Sequence, residues 1–248
     1  MFLLEPEYNS ESLDGIDEYN SKKICFSVNG LNEMSITQTF PLLFVLLSRR
    51  NELQKISNII DVLVDFHVLY SKFSKSPARE IEKIYGKIAR ELNSASTKED
   101  CDKIYNELVS NLKNLLDEYV VSKEVFVNTF KELKYGSKSS NSLIKYLFMR
   151  YYEDELEIKY GYNSITIEHI YPQSKNISKL FNMNTIGNLT LLYSQGNTKI
   201  GDRLPKDKWH LYKQYDRNGN IKLLLSEIEK ESIQKIGLKM ILIKELIV

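Results

Sequence analysis

Between about Thr37 and Leu156 the apolar residues recur at helical spacing. Ile56, Ile59, Ile60, Leu63, Phe66 and Val68 fall mostly three or four residues apart, as do Ile81, Ile84, Tyr85, Ile88 and Leu92. A stripe with that period lies along one face of an α-helix. Ser96-Thr97 ahead of Glu99-Asp100 has the form of a helix start, with a hydroxyl to cap the first free N–H groups and acids at the positive end of the dipole. It predicts a third helix running to about Tyr119. Ser122 starts a fourth and Asn141 a fifth carrying Leu143, Leu147 and Tyr151, with Gly136 and Ser137 to Ser140 marking the break between them. Near Gly161 the period changes. Ser164 to His169 alternates like a strand, and Leu189 to Tyr193 reads as another. From Asn197 the helical period returns, breaks at Pro205 and resumes through Trp209, Leu211 and Tyr212. Beyond Asn220, Leu224, Ile228, Ile233, Ile236 and Met240 predict one or two amphipathic helices. The expected fold is mainly α, of the α+β class. It consists of an acidic segment 1–36, a helical domain 37–160, a strand–loop–strand–helix module 161–220, and C-terminal helices 221–248 packed on the preceding parts.

Composition narrows the class of protein. The 248 residues are 42% hydrophobic and 27% charged, which excludes a disordered chain and leaves ample material for a core. Cys25 and Cys101 form no CxxC or Cys/His cluster, so a disulfide framework and a cysteine zinc site are excluded and a reducing, cytoplasmic setting is expected. The longest apolar run, Leu42 to Leu47, is far too short to span a bilayer. The start runs into acid before any signal-like segment develops. The formal net charge of +1 argues against a basic coat over the whole surface, but it is unevenly spread. Residues 1–20 carry Glu5, Glu7, Glu11, Asp14, Asp17 and Glu18 with no Lys or Arg, whereas residues 160–220 carry eight basic side chains against four acidic ones. The acidic stretch reads as a weakly ordered lead-in or a docking arm.

Three histidines offer candidate chemistry. His67 sits inside a helical stripe with no ligand at metal spacing and reads as structural. His210 follows Trp209 in a helix and reads as packing or surface. His169 closes a strand, follows the carboxylate of Glu168 and precedes Ile170-Tyr171-Pro172, whose proline ends the strand. Downstream come Ile186-Gly187-Asn188-Leu189-Thr190-Leu191-Leu192, then Asn197-Thr198-Lys199, Asp202 and Lys206-Asp207-Lys208. His, Asn and Asn on a strand–loop–strand–helix frame are the constellation of an HNH, or ββα-metal, nuclease.

From Ile165 to Lys208 the chain resembles the C-terminal HNH region of GmrSD-type restriction endonucleases, proteins of phage defence. The resemblance rests on Glu168-His169-Ile170-Tyr171-Pro172, on Ile186 to Leu192, and on Asn197 with Lys208. It extends more loosely to Phe40-Pro41-Leu42-Leu43 and to the run Asn141 to Met149. It implies a helical domain followed by a small ββα-metal HNH module that hydrolyses DNA phosphodiester bonds. His169 would activate water, Asn188 would hold the loop around that base, and Asn197 with Glu168 would bind Mg²⁺ or Mn²⁺. There are two departures. Asp202 stands where the family has a second asparagine, and no DGQQR-type motif of the ParB-like, nucleotide-handling half occurs. Either a separate subunit supplies that half, or the chain is a fragment or a stand-alone nuclease.

The residue types suit this chemistry. Phosphodiester hydrolysis needs a base for water and a cation to neutralise the phosphate, and side-chain oxygens of Glu168 and Asn197 are hard ligands. Neighbours on a regular strand face opposite ways, so Glu168 and His169 share a site only where the strand bends or ends. Lys199, Arg203, Lys206 and Lys208 are the expected phosphate contacts. Two other readings remain: a non-catalytic DNA-binding or assembly subunit, and an HNH nuclease acting on RNA. A homo-oligomer is compatible with all of them.

Overall fold

The computed structural model describes residues 17–49, 52–119, 123–151, 162–175 and 182–215. The acidic lead-in up to residue 16 and the terminal helices expected beyond residue 220 lie outside the described residues. The chain divides into two compact units, one ending at Phe126 and the other beginning at Val127. This division falls earlier than the change of composition at Gly161.

The first unit is helical: α1 (Glu18–Glu33), α2 (Phe40–Ser48), α3 (Leu53–His67), α4 (Ala78–Ser94) and α5 (Lys98–Glu118). The α3, α4 and α5 helices follow the periodicity of the sequence, and α5 starts where its cap predicts, with the Thr97 hydroxyl accepting from the Asp100 N–H at 3.1 Å. Burial of Ile56, Ile60, Leu63, Ile81, Tyr85, Ile88, Leu92, Tyr105, Leu108 and Leu112 joins these stripes into one core. Past His67 the helix widens into a π-helical turn, Val68–Phe73.

The α1 helix departs from expectation. Residues 18–33 fall within the N-terminal segment set apart in the sequence, yet they form a core helix packed along α3. Its apolar stripe, Ile24, Val28 and Leu31, is diluted by Asn20, Ser21, Ser27 and Asn29, all buried in α1 itself. Asn20, Ser27 and Asn29 are satisfied locally or across the interface. Ser27 donates to Asp61 Oδ1 at 3.2 Å, Ser57 bonds Asn20 Oδ1, and the Lys23 ammonium lies 3.2 Å from Asp61 Oδ2. A helix interface built on hydrogen bonds leaves little trace in a hydrophobic pattern.

In the second unit, α6 (Lys123–Glu132) carries the division, and α7 (Lys138–Tyr151) starts three residues ahead of the expected Asn141. The serine cluster read as a break is in part the helix's own cap: Ser137 Oγ accepts from the Ser140 N–H at 3.1 Å. Strands β1 (Ile165–His169) and β2 (Leu189–Tyr193) form a two-stranded antiparallel sheet, with Ile165 opposite Tyr193 and His169 opposite Leu189. Two short helices follow, α8 (Ser194–Ile200) and α9 (Pro205–Tyr215). Both α7 and α8 pack against both strands, which is why α7 groups with the sheet rather than with the helices before it.

His67 is fully buried, with Nε2 2.9 Å from the Tyr85 hydroxyl and Nδ1 3.0 Å from Ser71 Oγ. Burial, with a smaller contribution from the Lys72 charge, pushes its pKa down to about 3. Between the unfolded value near ~6.5 and about 3, only the unfolded chain takes up this proton, so stability falls as pH falls across that window. The expected slope from His67 alone is about 1 kcal/mol per pH unit. Urea denaturation at pH 7 and pH 5 should show His67→Gln losing less stability than wild type on acidification; parallel losses would contradict it.

Candidate active site

The site is built on the alternation of β1. Successive strand residues project to opposite faces, and the register places Thr166 opposite Leu192 and Glu168 opposite Thr190 on one face. That face meets α8 and α9. Leu192 packs with Ile200, Tyr212 and Leu211, and Asn197 on α8 donates from Nδ2 to Thr166 Oγ1 at 3.1 Å and to the Ile167 carbonyl at 3.3 Å. Glu168 turns towards α9, where its Oε1 accepts from Lys208 Nζ at 2.6 Å and from the Tyr212 hydroxyl at 3.1 Å. Lys208 is 1% exposed and Glu168 5%. Burial and the adjacent carboxylate raise the Tyr212 pKa well above the tyrosine range.

On the opposite face Ile165, Leu189 and Leu191 are buried, and His169 is half-buried at the strand's end. Its ring stands edge-on to Tyr135, with centroids 4.7 Å apart and planes at 86°. Burial lowers its pKa below the ordinary histidine value. A hydrogen bond with the Asn184 side chain opposes that shift, and the Lys208 charge adds to it. The imidazole is therefore neutral at neutral pH. Its Nε2 is buried and has no hydrogen-bond partner among the described residues. A neutral imidazole with one uncommitted nitrogen can accept a proton from water.

The loop beyond the strand is gripped by one side chain. Asn188, 1% exposed, accepts from the Tyr171 N–H at 2.8 Å and donates to the carbonyls of Tyr171 (2.9 Å) and Met183 (2.7 Å). Its backbone carbonyl accepts from the Ile170 N–H at 2.9 Å. Asn188 thus fixes the two residues that follow His169. Asn184, which nothing in the sequence pattern singles out, joins the same loop: its Oδ1 accepts from Gln173 at 2.6 Å and its carbonyl from the Tyr135 N–H at 2.8 Å. The signal available for it was the polar run Asn182-Met183-Asn184 just ahead of Ile186, a run with turn character but no stated chemistry. Asp202 accepts from Ser174 Oγ at 3.0 Å, tying the same loop to the end of α8.

The structure thus gathers His169, Asn184 and Asn188 around one loop, and Glu168, Lys208 and Tyr212 on the other face. Glu168 and Asn197 share the α8–α9 face, but not as an open cation site. The Glu168 carboxylate is engaged by Lys208 and Tyr212. The Ile167 carbonyl can only accept, which fixes the Asn197 amide with Nδ2 towards the strand and Oδ1 away from it. Among the described residues no three His, Cys, Asp or Glu side chains come together as a metal-binding group. Of the expected phosphate contacts, Lys199, Arg203 and Lys206 are exposed, and Arg203 also donates to the Lys199 carbonyl at 2.6 Å. Lys208 instead points inward.

Fold and site together define a small α+β module organised around a neutral histidine. The protein-family model for GmrSD restriction endonucleases, C-terminal domain, matches residues 120–241. Just under half of the chain is thus similar to the C-terminal domain of a family of restriction endonucleases. No curated protein matches the chain. Among the described residues no helix is long and apolar enough to cross a membrane.

Asn188→Ala removes the acceptor for one buried N–H and the donor for two carbonyls, and should destabilise the second unit by about 3 kcal/mol. Chemical denaturation measures it; a loss below about 1 kcal/mol would show that the loop does not depend on this side chain.

Proposed function

We propose that the module is an HNH-type endonuclease that hydrolyses DNA phosphodiester bonds within a restriction or anti-phage system. The observation that carries this reading is His169: neutral, held at the end of β1, and with Nε2 lacking a partner among the described residues. In the proposed reaction that nitrogen takes a proton from the attacking water. The hydrogen bond to the Asn184 side chain and the edge contact with Tyr135 hold the ring, and Asn188 holds the loop that follows. Lys199, Arg203 and Lys206 supply exposed positive charge for the phosphate backbone. They carry no sequence readout of their own.

A divalent cation, Mg²⁺ or Mn²⁺, would neutralise charge on the scissile phosphate. Such ions keep several waters and need few protein ligands once the substrate phosphate contributes. The Asn197 Oδ1 lies on the α8–α9 face, across β1 from His169, and Glu168 is engaged by Lys208 and Tyr212, so beside His169 the substrate phosphate and water would be the cation's main ligands. One site cuts one strand, so double-strand cleavage needs two chains or two successive nicks. A separate ParB-like subunit is the proposed source of nucleotide handling.

Purified protein with Mg²⁺ should nick plasmid DNA, EDTA should stop it, and His169→Ala should cut at least about 100-fold more slowly while keeping its circular dichroism spectrum. Equal rates for wild type and His169→Ala would remove the enzyme reading, and cleavage persisting in EDTA would remove the cation. RNA cut faster than DNA of the same sequence would transfer the reading to RNA. For binding, the double reversal Lys199→Glu/Lys206→Glu should weaken DNA affinity and lower the salt slope by roughly 2. An unaltered slope would place the phosphates elsewhere.

A further inference from the structure

We propose that the buried Lys208–Glu168 pair, closed by Tyr212, is the positioning device for His169, and that Lys208 is therefore not a phosphate contact. The inference rests on the nuclease reading for its catalytic consequence and on geometry for everything else. Lys208 Nζ donates to two acceptors on either side of one peptide bond: Glu168 Oε1 at 2.6 Å and the His169 backbone carbonyl at 2.7 Å. A side chain from α9 thus fixes the peptide plane that leaves His169. The register ends at the same residue, with His169 opposite Leu189. Immediately beyond, Ile170 and Tyr171 are held by the backbone and side chain of Asn188. His169 therefore stands between two clamps, one from α9 on its carbonyl and one from the loop before β2 on the residues that follow.

Burial argues for a positional role. Lys208 is 1% exposed, and taking an ammonium and a carboxylate out of water costs more than packing two apolar side chains in their place. Stability alone does not call for charge here. What a hydrophobic pair does not do is hold the carbonyl of residue 169, and an amine with three donors does so while meeting the carboxylate. Tyr212 supplies a second donor to Glu168 Oε1 at 3.1 Å, which orients the carboxylate for the lysine. A base misplaced by a fraction of an ångström loses rate without losing affinity.

The test uses the full chain and the E168Q/K208M variant, which removes both charges at nearly constant volume. Lys208→Met alone strands a buried carboxylate and can unfold the module, so Tyr212→Phe serves as the milder second variant. For E168Q/K208M, plasmid nicking should show kcat reduced roughly 10- to 100-fold, with KM for DNA and the salt dependence of binding unchanged. The chain has only three histidines, and His169→Ala identifies the resonance of residue 169 in an imidazole NMR spectrum. At one fixed pH that resonance should move in E168Q/K208M, and move less in Tyr212→Phe, while those of His67 and His210 stay in place. A raised KM with a flatter salt slope would make Lys208 a phosphate contact and overturn the proposal. So would full kcat with an unmoved His169 resonance. If wild type fails to cut at all, the nuclease reading falls by itself and the resonance decides the positioning role: moved supports it, unmoved overturns it.

Discussion

Two residues adjacent on a β-strand cannot look the same way, and the second unit is arranged around that constraint at Glu168 and His169. Thr166 and Glu168 face α8 and α9, where Asn197, Lys208 and Tyr212 meet them. His169 falls on the other side, with Tyr135 and Asn184. A carboxylate next to a histidine in sequence invites a joint role as base and metal ligand. On a strand that remains regular through residue 169, the pair is instead divided between a buried anchor and a half-buried ring. The anchor still reaches the histidine, because Lys208 bridges from the carboxylate to the carbonyl of His169 itself.

The two described buried or half-buried histidines differ in how their ring nitrogens are satisfied. Burial lowers the pKa of both, so neutrality does not distinguish them. His67 has both nitrogens occupied, by Tyr85 and Ser71, inside a helix and π turn. Every bond it can make is made, and its protonation would only oppose folding. His169 has one nitrogen side held by Asn184, while Nε2 has no partner among the described residues. A buried polar atom without a partner costs stability. In the proposed reaction the attacking water would complete the set.

The long helices and both strands were legible because burial there is carried by apolar side chains at a fixed period. Thr97 marked the start of α5 because its hydroxyl does the capping in the folded chain. Legibility failed where polar atoms do the packing. The α1 helix was hidden by Asn20, Ser21, Ser27 and Asn29, whose burial depends on partners in α1 and α3 that no local pattern reveals. The same holds at the site. Asn188 could be given a bracing role from its place before β2, whereas Asn184 carried only a turn signal, because its partners come from two distant stretches of chain, Tyr135 and the segment from His169 to Gln173. Lys208 was read as outward-facing for the same reason: a helix surface pattern does not tell which lysine has a carboxylate waiting under it.

The inward turn of Lys208 also bears on how charge in this segment is to be counted. Residues 160–220 hold eight basic and four acidic side chains, a surplus that reads as affinity for phosphate. Lys208 and Glu168 neutralise each other inside the module, so withdrawing both leaves seven against three and the surplus intact. The outward field is therefore carried by other residues, with Lys199, Arg203 and Lys206 exposed on α8, after it and on the first turn of α9. In the proposed reading, attraction of nucleic acid and placement of the base fall to different lysines. The first depends on solvent-exposed charge and weakens with salt; the second depends on a desolvated pair that salt barely screens. A module divided in this way can vary its surface charge without disturbing the geometry of His169.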